Sequence, residues 1–566
     1  MQNVTSEAKS GDFVYIHYSG HGTRTKPCFN YSNQTTGDLA LVLLQGYKSP
    51  DIYLRGPRLA GLIKAMTDKG LVVTIVLDCC FSATVYRQSD LDENVRFLPD
   101  GLQDAVYVQK PDGTTYAERS PIEYRDGSMR DQWLLDPREY TILAACGPHE
   151  SAKGGYRKTG SDVIDKARSF GALSYFLSKS LSDHGLNRRH GDIHRHICAV
   201  FRQHCRQQNP VLYGNGDQGF FGKVEEHGNA RQISILNDVN KVHLLAGQAH
   251  GISVGDRFTL SSTRSQGELV GEVIQTGPLT SIICLLEDSV NVQTGWTAEP
   301  LISKRMSSIP FQVMPGLPCY DDIITTLEES QLGVHLPLDK TPAADVIRIS
   351  LDPNNEYTVL DDSLAKIVHV PPIKRDEQSI ESICTTLEHL TRYKMVKDLT
   401  NKVPTDVFRQ SIRVLLAQGQ ELYEPFQTIE ARHKSPIKVI VTNNGDADIF
   451  AHIYNLGPSG QVKNIFGGTY VCIPARGHGS DTREVTCTGT YEAKIKMAVP
   501  LFLQEDGSCM DIIKVFITSQ ATSFESLELS SLQQLKTQQS GQRDCLDKAD
   551  GLEDWMAFNF YVHTSL

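Results

Sequence analysis

Phe13-Val14-Tyr15-Ile16-His17-Tyr18-Ser19-Gly20-His21-Gly22 and Val72-Val73-Thr74-Ile75-Val76-Leu77-Asp78-Cys79-Cys80 are built alike: an apolar, β-branched and aromatic run that breaks off in residues able to do chemistry. Runs of this length and composition predict buried strands. Between them Leu59, Leu62, Ile63 and Met66 recur at helical spacing, and Gly70 follows with the backbone freedom that a helix C-cap needs. One strand-helix-strand unit results. Outward from it, residues 39–44 and 140–145 read as further strands, 171–181 and 193–206 as helices, and 208–214 as the last segment of a unit closing near residue 224. This alternation predicts an α/β domain over 1–224, an open, mostly parallel sheet flanked by helices.

The rest of the chain is patterned differently. Residues 85–139, which include Asp112-Gly113 and Asp126-Gly127, lose all periodicity and read as a long loop. Residues 225–300 carry short strands punctuated by glycine, as in Gly251-Ile252-Ser253-Val254-Gly255-Asp256, and predict a small β-rich domain, a barrel or a sheet. Residues 301–430 mix Pro-rich loops with short helices and read as a connector, in which Ile383, Leu387, Leu390 and Met395 mark an amphipathic surface helix over 380–397. In 431–566, Ile437, Val439 and Val441 alternate with polar neighbours, as do Tyr491, Ala493, Ile495, Met497 and Val499, so a C-terminal β-sandwich is expected. Residues 532–554 are polar and Gln-rich and read as an excursion from it.

At 566 residues, with 22% charged and 40% hydrophobic, the chain has globular composition and the length of several domains, which excludes general disorder. A net charge of -11, with no run of Lys and Arg longer than a pair such as Arg188-Arg189, offers no footprint for nucleic acid or an anionic membrane. The 13 cysteines follow no repeating spacing, which argues against a secreted disulfide framework and for reduced thiols in the cytoplasm. The polar first ten residues lack the apolar core of a signal peptide, and the apolar run at 71–77 is too short to span a bilayer.

Functional groups of open α/β sheets gather at the carboxyl ends of the strands. Here those ends carry a histidine, His21, and a cysteine, Cys80, which two parallel neighbouring strands would bring face to face. A free thiol has a pKa of about 8.5; an adjacent imidazole favours the thiolate and can later protonate a leaving amine. That pair is what cysteine-protease chemistry requires. The glycines flanking His21 leave backbone N–H groups unobstructed, so the amides of Gly22 and Cys80 are candidates for the oxyanion hole. Asp78, close to the nucleophile, would suit a cationic substrate side chain.

Tyr18-Ser19-Gly20-His21-Gly22 together with Asp78-Cys79-Cys80-Phe81-Ser82 resembles the active-site signature of metacaspases and related caspase-like proteins of the C14 peptidases. Tyr140 to Cys146, Gly171-Ala172-Leu173-Ser174-Tyr175-Phe176, Gln208 to Gly214 and Phe220-Phe221-Gly222 are similar to fungal caspase-domain proteins, whose downstream β regions 431–566 also resembles. The resemblance implies that His21 is the catalytic histidine, Cys80 the nucleophile, and Ser19 and Asp78 two positions of a basic-residue pocket, giving cleavage after Arg or Lys. It implies protein or peptide substrates, a link to cell death, and calcium activation, with Asp38, Asp51, Asp90 and Asp92 as nearby acids; no other cofactor is expected. Phe81 stands where the family usually has a second histidine. The family also has a strand and a helix with an Asn-Asp-Ala-like motif ahead of its His strand, so the caspase-like sheet is expected to be N-terminally incomplete here. An alternative function follows: a catalytically impaired scaffold or regulatory protein that binds a partner through its β-sandwich.

Simpler roles compete for several residues. Cys79 alternates away from Cys80 and reads as core rather than half of a redox pair, and Cys146 reads as core beside His149. His190, His194, His196, Cys198, His204 and Cys205 crowd one helix, yet its apolar face of Ile193, Ile197, Val200 and Phe201 explains that helix without metal. The four acids match no calcium motif and also read as solvated loop residues. Arg87, Arg96, Lys110, Arg119, Arg125, Arg130 and Arg138 in the 85–139 loop are either ordinary loop charge or sites of autoprocessing.

Overall fold

Val73, Thr74, Ile75, Val76 and Leu77 are all buried, the mark of a strand covered on both faces of its sheet. In the computed structural model the described residues are 1–25, 38–43, 52–79, 140–147, 152, 154–156, 170–205, 208–222, 224, 232–238, 241–262, 265–286, 292–314, 316–329, 346–361, 363–367, 370–376, 378–465, 470–476, 489–532 and 553–566. The first elements are α1 (Gln2–Glu7), β1 (Phe13–Ser19), β2 (Gly22–Thr25), β3 (Asp38–Leu43), β4 (Ile52–Arg55), α2 (Gly56–Asp68), β5 (Val72–Asp78) and β6 (Tyr140–Ala144). A short ribbon of β7 (Gly154–Tyr156) and β8 (Phe170–Gly171) leads into α3 (Ala172–His184), α4 (His190–His204) and β9 (Val211–Gly214).

The central sheet has the order β1-β5-β6-β9. The β1–β5 and β5–β6 pairs are parallel and β9 closes the sheet antiparallel to β6. The two faces of β5 feed different cores. Val73, Ile75, Leu77 and Cys79 lie with Leu59, Ile63 and Met66 of α2 on one side. Val76 lies with Leu173 and Phe176 of α3 and Ile193, Ile197 and Phe201 of α4 on the other. Helix α2 stops at Gly70, whose φ of 82° is costly for any residue with a Cβ.

One expectation is corrected. The 39–44 run is a strand, but β3 joins a separate antiparallel sheet, β2-β3-β4, outside the parallel one. The cause is local: Gly22–Thr25 and Ile52–Arg55 are short strands on either side of it, and β3 pairs with both. The 85–139 loop lies outside the described residues.

Strands between Ile233 and Ile302 form a closed six-stranded barrel, as the glycine-punctuated pattern allowed. The connector carries its own core. There a sheet of Phe311–Val313, Ile347–Leu351 and Tyr357–Leu360 packs against the helices Tyr320–Glu329 and Ser379–Asp398. The second of these helices departs from the surface helix expected from sequence. Ile383, Leu387 and Leu390 enter the connector core, Val396 enters a second core shared with the sandwich, and buried His389 donates its Nε2–H to the Gly460 carbonyl at 2.7 Å.

Two facing β-sheets form the C-terminal part, and their first strand is Ile412–Gln418, ahead of residue 431. Ile437, Val439, Val441, Ile495, Ile513, Val515 and Ile517 meet between the sheets. Tyr470, Cys472 and Ala521 from this unit share the buried cluster of β5 and α2. Residues 533–552, within the expected excursion, lie outside the described residues. Among the described residues no helix is long and apolar enough to cross a membrane, and every cysteine is a free thiol.

Candidate active site

Ser19 and Asp78 are the last partners in the parallel β1–β5 register. Because side chains alternate along a strand, both project to the face covered by α3. His21 and Cys80 each stand two residues beyond that pair. The Gly20 N–H donates to the Asp78 carbonyl at 3.3 Å, so the turn that carries His21 is fastened to the end of the Cys strand. Cys80 itself lies outside the described residues; Cys79, its neighbour, is fully buried in the core on the α2 side. The core role read for Cys79 therefore holds, and so does that of Cys146, which is buried with its Sγ 3.9 Å from the Cys79 carbonyl.

His21 is exposed, while its backbone is held from two directions. The Val42 N–H donates to the His21 carbonyl at 3.0 Å. Tyr18 Oη lies 2.7 Å from the same oxygen and 2.7 Å from the Val42 carbonyl. Gly20 makes this possible, since a Cβ there would come within 2.7 Å of Tyr18 Oη. The Val42 bond also makes the Gly22–Leu41 pair a non-hydrogen-bonded one, which turns the Gly22 N–H away from β3.

Asp78 is fully buried at the first turn of α3. Its Oδ2 accepts from the Ser174 backbone N–H at 2.9 Å and from the Ser174 hydroxyl at 2.6 Å. The carboxylate thus acts as a tertiary N-cap for the helix, where the unsatisfied N–H groups and the positive end of the dipole favour an anion. Ser174 and Gly171 were visible in the sequence only as part of a resemblance, and no local pattern connects them with Asp78. Ser174 also touches His17, whose Nε2 lies 2.9 Å from Ser174 Oγ, and His17 Nδ1 lies 3.0 Å from Tyr15 Oη. Burial pushes the Tyr15 hydroxyl up to about 12, so it carries its proton at neutral pH.

The histidines of α4 find separate partners. His190 meets Thr74 Oγ1 at 2.9 Å, His194 meets the Pro210 carbonyl at 3.1 Å and the Cys198 thiol at 3.4 Å, and His196 packs on the His184 ring. Among the described residues no three His, Cys, Asp or Glu side chains converge as metal ligands. The Asp38 side chain and Asp51, Asp90 and Asp92 lie outside those residues, so no described carboxylate cluster fits the calcium implied by the resemblance.

Comparison with known families gives one match: residues 1–89 fit the model described as metacaspase, peptidase C14 domain. The matched span contains β1 to β5, His21, Asp78 and Cys80. A search of curated proteins returned no match.

Proposed function

We propose, from the match of residues 1–89 to the metacaspase, peptidase C14 domain model, that this chain is a cysteine endopeptidase cleaving proteins after Arg or Lys. The observation that carries the reading is the register of β1 and β5. Ser19 stands opposite Asp78, and His21 and Cys80 each follow that pair by two residues in the chain, which supports a base and a nucleophile on adjacent strands.

In this reading the Cys80 thiolate attacks the carbonyl carbon of the scissile bond, and the oxygen becomes an oxyanion within reach of the Gly22 and Cys80 N–H groups. The orientation of Gly22 away from β3 supports its part. Protonated His21 gives its proton to the departing amine; water, deprotonated by the same imidazole, then releases the acyl group from sulfur. Asp78 supplies negative charge on the Ser19 side of the sheet, where a P1 guanidinium or ammonium would be drawn.

The test is hydrolysis of fluorogenic peptides with Arg, Lys or Asp at P1 by the full chain, beside Cys80→Ala and His21→Ala. Arg and Lys turnover that disappears in both variants supports the assignment. A folded wild-type chain that cleaves none of them would leave the scaffold role as the better account.

A further inference from the structure

Ser174 Oγ has one proton and two polar neighbours, and this fixes the sense of a chain of hydrogen bonds across the face of the sheet. The 2.6 Å contact to Asp78 Oδ2 takes the hydroxyl proton, because an ionised carboxylate only accepts. The 2.9 Å contact to His17 must then be filled by a proton on His17 Nε2. In the neutral ring that tautomer leaves Nδ1 as an acceptor, matched by the Tyr15 hydroxyl at 3.0 Å. Every donor points the same way, from Tyr15 through His17 and Ser174 to Asp78.

The geometry points to Ser174 and His17 as positioning residues for substrate selection: they hold the Asp78 carboxylate fixed in orientation, so that recognition of a basic P1 side chain depends on an exposed histidine of β1 and the first turn of α3. The inference rests on the reading of Asp78 as the P1-selecting acid. Neither residue touches substrate in it. Ser174 supplies both its N–H and its O–H to a single carboxylate oxygen, a clasp that sets the orientation of the group. His17 keeps the hydroxyl from rotating away by occupying its lone pair. Tyr15, lying 5.2 Å from the Phe221 ring, anchors the outer end of the chain.

The experiment compares kcat and KM for Arg-P1 and neutral-P1 peptides in the full-length wild type, Ser174→Ala, Ser174→Thr, His17→Leu, His17→Gln and Asp78→Asn, with thermal unfolding of each as the control for folding. The backbone bond from residue 174 survives in Ser174→Ala, so the helix keeps part of its cap. Loss of one charge-assisted hydrogen bond is expected to raise KM for the Arg peptide roughly ten-fold, with kcat and the neutral peptide little changed. Ser174→Thr, and His17→Gln through its amide N–H, should restore most of the loss. If Asp78→Asn abolishes Arg preference while Ser174→Ala and His17→Leu leave KM unaltered, the positioning role is overturned and the pocket assignment stands. If Asp78→Asn leaves the Arg preference intact, or the wild type cleaves no Arg peptide, both fall together. Equal losses on both peptides would mark a purely structural cap and overturn the inference.

Discussion

Gly171 lies so close against the Asp78 carboxylate that a Cβ on residue 171 would collide with both of its oxygens. The absence of a side chain is thus what lets a buried acid reach the first turn of α3. Gly171→Ala should cost about 1–3 kcal/mol through overpacking. In a double-mutant cycle with Asp78→Ala, which removes the obstructing group, the combined loss should be well below the sum of the single losses. Denaturant midpoints provide the check, and strict additivity would break the link between the two residues.

Lys514, buried in the sandwich strand Ser508–Thr518, ends the long connector helix. Its ammonium donates to the carbonyls of Lys397 at 3.0 Å and Leu399 at 2.8 Å and to Asn559 Oδ1 at 2.9 Å. Three acceptors match its three protons, at a helix terminus where a cation is favoured. Lys514→Met keeps most of the volume and leaves the Leu399 carbonyl and Asn559 Oδ1 without this donor, while the Lys397 carbonyl keeps the Asn559 amide N–H at 3.0 Å, for an expected cost of about 3 kcal/mol. Equilibrium unfolding with the wild-type midpoint would contradict this account.

His250 makes stability fall on acidification. Its Nδ1 accepts from the Gly247 N–H at 3.1 Å while Nε2 sits 2.9 Å from the Ser523 carbonyl, so the ring is neutral with its proton on Nε2, and burial holds its pKa down at about 3. The unfolded chain takes up a proton near pH 6.5 that the folded chain refuses. Stability is therefore full above that pH and declines by about 1.4 kcal/mol per unit below it, down to the folded value. His196, pushed down by burial and by His184 to about 4, adds a loss of the same sign. His250→Gln should lower stability at pH 7 and flatten its slope between pH 6 and pH 4. Unfolding curves with an unchanged slope would exclude His250 as the source.

Tyr18→Phe removes the hydroxyl between the His21 and Val42 carbonyls and leaves the Val42 N–H bond in place. Stability should drop by about 1 kcal/mol, and kcat on Arg peptides should fall because the histidine turn is less rigidly held. A variant identical to wild type in both measurements would show that the β2–β3 contact alone fixes the turn.

How far the sequence could be read depended on the range of the interactions. Strands β1 and β5 stood out because a strand covered on both faces is one unbroken apolar run, and His21 and Cys80 stood out because each ends such a run. The identity of β3 as a strand was legible, but its sheet was not, since Leu39–Leu43 looks the same whichever neighbours it pairs with. The helix Ser379–Asp398 gave a surface pattern from one apolar stripe; off that stripe His389 is buried as well, with its Nε2–H on the Gly460 carbonyl, a contact the stripe does not announce. Ser174 was illegible as part of the site for the same reason: its partner lies on another strand, and a serine in the first turn of a helix has a local explanation already.

The cluster that buries Leu59, Ile63 and Met66 of α2 also contains Tyr470, Cys472 and Ala521. On the ribosome the strands bearing His21 and Asp78 emerge well before Tyr470, Cys472 and Ala521, which share their core. At the ordinary pace of translation of about 5–20 residues per second, this interval lasts on the order of tens of seconds. The nascent chain spends it with the α2 face short of these neighbours, so the core behind the proposed active site would close only after the segments that carry them have been made.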